Sequence, residues 1–218
     1  MPEPYLPRAG PGACLPERSA IRAQVGKLVV IVVLLPTTED AMNEFALDLD
    51  RIRSDARREM EKGPVTETYG TDVNQVISVL NEILATELVC VLRYKRHYYT
   101  AKGVHGPTVA AEFAEHMADE QRHADMAAER ISQLGGEPDF NPAVLAERSH
   151  TEYVPGKDLR SMIEEDLVAE RIAISTYAEI VRWLGEGDPT TRRVVEHLLA
   201  DEEDHADDLI NLLDRLPA

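Results

Sequence analysis

The sequence predicts an all-α protein whose core is an antiparallel four-helix bundle, and three observations predict it. Apolar residues recur at helical spacing over four stretches, roughly 72–102, 107–134, 158–185 and 189–214. Capping aspartates or early prolines open these stretches, and glycines close the first three. One pattern of carboxylates and histidines occurs twice, once in each half of the chain, on the apolar stripes themselves.

Taken in order, residues 1–38 hold six of the thirteen prolines and are expected to be unstructured, apart from a strand or short helix over Leu28 to Leu35. That apolar run is too short to span a bilayer. Arg18, Arg22 and Lys27 precede it, as in a signal peptide, but no small-residue cleavage site is evident. Residues 1–40 are therefore read as a disordered tail, a leader, or a mis-called start upstream of Met42. Residues 41–70 are expected to form an N-terminal helix and linker. Thr38-Glu39-Asp40 would cap that helix, and Gly63-Pro64 would end it near Lys62. Residues 71–216 are expected to form the bundle. Asp72, Asp158 and Asp188 are its predicted caps, and Pro107 and Pro189 sit in first turns. The links between the first two helices and between the last two are short, so each pair is an antiparallel hairpin. Residues 135–157 form a long crossover, able to reach about 70 Å when taut, with a short helix expected over 142–149.

The repeated pattern is one lone Glu followed by a Glu-x-x-His. Glu87 precedes Glu120 and His123; Glu170 precedes Glu202 and His205, at nearly equal distance. A tyrosine lies seven residues after each lone Glu, at Tyr94 and Tyr177. Helical spacing puts the ligands on core faces: Leu80, Leu84, Glu87, Val91 and Tyr94; Phe113, Met117, Glu120, Ala124, Ala127 and Ile131; Ile163, Asp166, Glu170, Ile174 and Tyr177; Val195, Leu199, Glu202, His205 and Leu209. A single Glu-x-x-His in an acidic helix is ordinarily a solvated pair. Two of them, each matched to a Glu on an apolar stripe, are not, because four unpaired carboxylates in a core are prohibitively unfavourable. Two divalent metals would neutralise them. Residues i and i+3 share a helix face, so Glu120 and Glu202 can bridge two metals while His123 and His205 each bind one. Glu87 and Glu170 are then terminal ligands. Carboxylate oxygens with one imidazole per metal form a hard, mixed set suited to iron or manganese.

These residues resemble the ferritin-like superfamily, in particular bacterioferritins and DPS-like proteins with a bacterioferritin-type di-iron centre. The similarity spans about 72–214 and rests on Leu80-Asn81-Glu82, on Ala118 to Asp125, and on Asp201 to His205. The resemblance implies a ferroxidase that oxidises Fe(II) with O₂ or H₂O₂, for iron storage and protection from oxidative stress, with two iron ions per subunit and Tyr94 beside them. It also implies a homo-oligomeric cage. The helix before the bundle and the one in the crossover look more like 12-subunit than 24-subunit relatives. Gln121 stands where bacterioferritin carries its haem-ligating Met, so haem is not expected. A di-iron oxidase or peroxidase, a manganese catalase without storage, and a non-enzymatic metal-binding cage are the alternatives.

Composition bounds the rest. A net charge of −17 argues against nucleic-acid binding through the overall field. No membrane partner is expected. Cys14 and Cys90 lie in unlike segments and suggest no disulfide framework, so a cytoplasmic location is expected. Asp119 and Asp201 could orient the ligand histidines through their other ring nitrogens; surface charge is the plainer reading. Asp166 could stand behind Glu170 or at the bundle edge. Tyr94 and Tyr177 could hydrogen-bond a ligand or simply fill core. Cys90 reads as a small buried hydrophobe. His116 could add a ligand, His97, Tyr98 and Tyr99 point to an interface, and Glu115, Glu196 and Glu203 to solvated faces or an iron path. His105, His150 and His197 carry no specific signal.

Overall fold

The computed structural model describes residues 46–216 and is all-helical over them. Helix α1 spans Leu49–Arg58, with a 3₁₀ turn following at Met60–Lys62. The four long helices are α2 (Val73–Thr100), α3 (Gly106–Gln133), α5 (Leu159–Leu184) and α6 (Pro189–Arg215). Helix α4, Leu145–Arg148, lies in the crossover between α3 and α5. The two hairpins α2–α3 and α5–α6 pack as the loop lengths require, with α4 laid on α2.

The caps fall where the sequence places them. Asp72 accepts from Asn74 N and Gln75 N, and Asp158 forms a capping box with Ser161. Asp188 accepts from Thr191 N at 2.9 Å while its other oxygen takes the Tyr69 hydroxyl at 2.7 Å. Arg130 of α3 reaches the same carboxylate, so one aspartate ties the linker before α2, the end of α3 and the start of α6 together. Beside it Gly70 N bonds Gly187 O at 3.0 Å. A Cβ on Gly187 would lie 2.2 Å from Thr71 Oγ1, so the close approach needs glycine there.

The N-terminal helix starts later than expected. Asp48 caps it by accepting from Arg51 N, and Ala46 to Asp48 are not helical. Its expected cap at residues 38–40, the apolar run at 28–35 and the readings of residues 1–40 lie outside the described residues. The crossover helix is shorter than 142–149, because residues 142–144 turn instead, with Asn141 bonding Ala143 N.

By length and composition α2 is apolar enough to cross a membrane. In the fold its apolar face supplies core. One cluster joins Leu80, Ile83 and Leu84 to Ala127, Ile131, Val195 and Leu198. A second joins Tyr94 and Phe113 to Ile163, Leu209 and Leu212. The charged residues of the repeated pattern lie in a layer between these two clusters. Val91, Ile174 and Leu199, expected in the core, are only partly buried; Cys90, Ala173 and Leu198, one position away, are buried instead.

Candidate metal centre

The four long helices bring all six predicted ligands together. Glu87, Glu120, His123 and Glu202 form one group able to hold a cation; Glu120, Glu170, Glu202 and His205 form a second. Every one of them is buried, His205 being the most exposed at 4%. Glu120 and Glu202 belong to both groups, and their oxygens are shared out. Glu120 turns Oε2 toward His123 Nδ1 at 3.6 Å and Oε1 toward His205 Nδ1 at 3.7 Å. Glu202 turns Oε1 toward His123 Nδ1 at 3.3 Å and Oε2 toward His205 Nδ1 at 3.2 Å. Each carboxylate thus faces two positions, one in front of each imidazole. Glu87 stands at the first, 3.7 Å from His123 Nδ1, and Glu170 at the second.

The outer ring nitrogens are held by aspartates. Asp201 Oδ2 lies 3.0 Å from His123 Nε2, and Asp119 Oδ2 lies 3.4 Å from His205 Nε2. A carboxylate only accepts, so Nε2 carries the proton in each ring and Nδ1 is directed at the cation positions. The pairing is crosswise: the aspartate beside each shared Glu contacts the histidine of the opposite hairpin. Arg122 joins the two aspartates at the surface. The tyrosines are crossed in the same way. Tyr94 of α2 donates to Glu170 of α5, and Tyr177 of α5 donates to Glu87 of α2. Asp119, Asp201 and both tyrosines thus each contact one of the six candidate ligands.

Burial is incompatible with this many charges unless something positive is added. Both oxygens of Glu120, Oε2 of Glu170, Oε1 of Glu202 and Nδ1 of His123 are buried with no hydrogen-bond partner among the described residues. Burial, and then the charge of Glu202, push Glu120 and Glu170 far above the usual carboxylate range. Burial opposes a charge on His123, yet the close carboxylates of Glu202 and Glu87 raise it to about 11. His205 is raised too, against its burial, chiefly by Glu202. Burial would also raise Glu202, but His123 and His205 hold it down. Protons thus occupy the places that two divalent cations would take, and the orphaned oxygens are what those cations would satisfy. The donor set, four carboxylates and two imidazoles, fits iron or manganese.

The remaining candidates resolve individually. Asp166 is not at the bundle edge: it is fully buried, with Arg93 Nε at 2.7 Å and His97 Nδ1 at 2.7 Å. His97 is therefore a core residue of this chain rather than an interface residue. Tyr98 and Tyr99 beside it are exposed. Arg93 was invisible as a core residue, since a basic residue on a helix ordinarily reads as surface; its place three residues from Cys90 and four from His97 was the only signal. Cys90 is buried against Thr151 and Arg93. Glu115, Glu196 and Glu203 are exposed. His116 is buried but belongs to neither group of four; it stacks on His205 with ring centroids 4.1 Å apart. A groove of about 380 Å³ between α1 and residues 59–68 lies apart from the ligands.

The family model for the ferritin-like domain matches residues 77–218, well over half of the chain. The chain belongs to the ferritin-like family. Its ferritin-like domain is similar to the bacterioferritin of Desulfovibrio desulfuricans, 31% identical over 132 residues that cover 60% of this chain and 70% of the relative. It is also similar to a nutrient stress-induced DNA-binding protein of a Synechococcus species, 30% identical over 138 residues, covering 61% of this chain and 77% of the relative. Among solved structures it is similar to the dodecameric thioferritin of Bacteroides fragilis, a bacterioferritin-related protein. That similarity has a TM-score of 0.64 at 32% identity, over 66% of this chain and 88% of the other. The resemblance to bacterioferritins and DPS-like proteins read from the motifs is thus shown, and so is the four-helix fold.

Proposed function

We propose that this ferritin-like chain is a ferroxidase that takes Fe(II) as substrate at the paired site and serves iron storage. The observation that carries the reading is the division of the Glu120 and Glu202 oxygens between two positions, each closed by one imidazole and one terminal carboxylate. Two Fe(II) ions there would give up one electron each, and one O₂ or H₂O₂ would accept both. The bridging pair hold the two ions adjacent. The aspartate-oriented histidines fix the other side, and Tyr94 and Tyr177 steady the terminal carboxylates. The two apolar clusters above and below keep bulk water from the layer. The bacterioferritin relatives support the activity, and the dodecameric thioferritin supports a twelve-subunit homo-oligomer.

The test is stopped-flow oxidation of Fe(II) by metal-free protein, titrated upward from one Fe per subunit, with O₂ and H₂O₂ supplied separately. A fast phase that saturates near two Fe per subunit, followed by further soluble uptake, supports a storage ferroxidase. Saturation without further uptake supports an oxidase or peroxidase that stores nothing. No acceleration over buffer sinks the ferroxidase reading.

The same site predicts a pH dependence. Without metal, protons sit on Glu120, Glu170 and His123, and the cations must displace them. The metal-free form binds more protons, so lowering pH favours it, and metal affinity should fall steeply as pH drops. Because His123 titrates near 11 in the metal-free form, proton release should persist from pH 6 to 9. Calorimetric titrations with Zn(II) in buffers of different ionisation enthalpy would count the protons. A count of zero would contradict the protonated, metal-free centre.

A further inference from the structure

We infer that Glu112, His116 and Asp208 form a third divalent-cation site at the edge of the bundle, next to the paired site and distinct from it. These residues offer ligand atoms within 4.8 Å of one another. Glu112 and His116 are one turn apart on α3, and Asp208 reaches them from α6. His116 Nε2 lies 3.4 Å from Glu112 Oε1 and 3.9 Å from Asp208 Oδ2.

The protonation pattern of His116 gives the cluster its direction. The Tyr94 hydroxyl donates its only proton to Glu170, so its oxygen can only accept from His116 Nδ1, at 3.2 Å. That bond fixes the proton on Nδ1 and leaves the Nε2 lone pair pointing at Glu112 and Asp208. An acceptor nitrogen facing two carboxylates is repulsive with nothing between them. The side chain is 2% exposed, and Nε2 has no hydrogen-bond partner among the described residues. A buried, oriented imidazole nitrogen of this kind needs a positive partner. The carboxylates, 28% and 52% exposed, open the site to solvent and leave coordination positions for water.

The donor set names the class of ligand. One imidazole with two carboxylates favours a divalent first-row metal over calcium or magnesium, which take oxygen ligands alone. In the working protein that metal is Fe(II), and in this respect the inference rests on the ferroxidase reading. A cation held there is one imidazole away from the centre, because His116 stacks on His205 and bonds Tyr94, which holds Glu170.

The test is anomalous diffraction from crystals of the full chain soaked in Zn(II), with solution binding of Zn(II) measured beside it. The wild type should show three peaks per subunit: two between the long helices, and one about 2.0–2.1 Å from His116 Nε2. The double variant Glu112→Gln/Asp208→Asn alters only partly exposed positions outside the paired site. It should keep the two inner peaks and lose the third, with at least a tenfold weaker third binding event. Two inner peaks without a third in the wild type overturn the proposal, and so does a third peak of undiminished affinity in the variant. A third peak without the inner pair supports the outer site while removing the paired one.

Discussion

Glu120→Gln should reduce the fast phase of Fe(II) oxidation by at least about 100-fold. Loss of partners that merely orient metal ligands typically costs 10–100-fold, and Glu120 does more than orient. Its two oxygens face both cation positions, so one substitution removes a negative donor from each. An amide keeps the volume but offers a single neutral acceptor, and its NH₂ would be turned on one of the cations. Stopped-flow traces at two Fe per subunit measure the effect. The same variant should leave the metal-free protein at least as heat-stable as the wild type, because a buried carboxyl with no hydrogen-bond partner contributes nothing to the fold. Scanning calorimetry of the metal-free proteins gives that comparison. Loss of activity together with a large fall in melting temperature would assign Glu120 a structural role instead.

Asp166→Ala should have the largest effect on stability. Arg93, His97 and Asp166 are all fully buried, and among the described residues Asp166 is the only carboxylate bonded to the other two. The cluster also fastens the crossover: Arg93 donates to Glu152 O, and His97 Nε2 to Pro155 O. Removing the carboxylate leaves a guanidinium in the core with no counter-charge, which costs about 3–5 kcal/mol. For a chain of this size that corresponds to a melting temperature lower by on the order of 10 °C. The double variant Arg93→Met/Asp166→Leu should recover most of the loss, since a matched apolar pair replaces a broken ionic one. Calorimetry at fixed protein concentration checks both. A shift of only a degree or two in Asp166→Ala would show that the site rehydrates at little cost.

Much of the fold and the centre was legible because helices make spacing meaningful. Glu120 and His123 lie one turn apart by geometry alone, so their pairing follows once the helix is granted. The long helices and their caps at Asp72, Asp158 and Asp188 were readable for the same reason. The start of α1 was not: Thr38-Glu39-Asp40 and Asp48 are equally good capping chemistry, and local sequence gives no means of choosing between them. Arg93 was missed and His97 was misjudged because whether a charged residue is buried depends on a partner 73 or 69 positions away.

The sequence by itself determined the helices, the order of the hairpins and which six residues are the candidate ligands, since these depend on periodicity and on residues close together in the chain. Only the tertiary structure decided which partner each group takes. Asp119 holds His205 and Asp201 holds His123; Tyr94 holds Glu170 and Tyr177 holds Glu87. His116, readable from the sequence as a possible additional ligand, likewise acquires Asp208 of α6 as a neighbour only through packing. The physical reason is that hydrogen bonds and ion pairs act over a few ångströms, and only packing of the two hairpins brings residues so distant in sequence within that range.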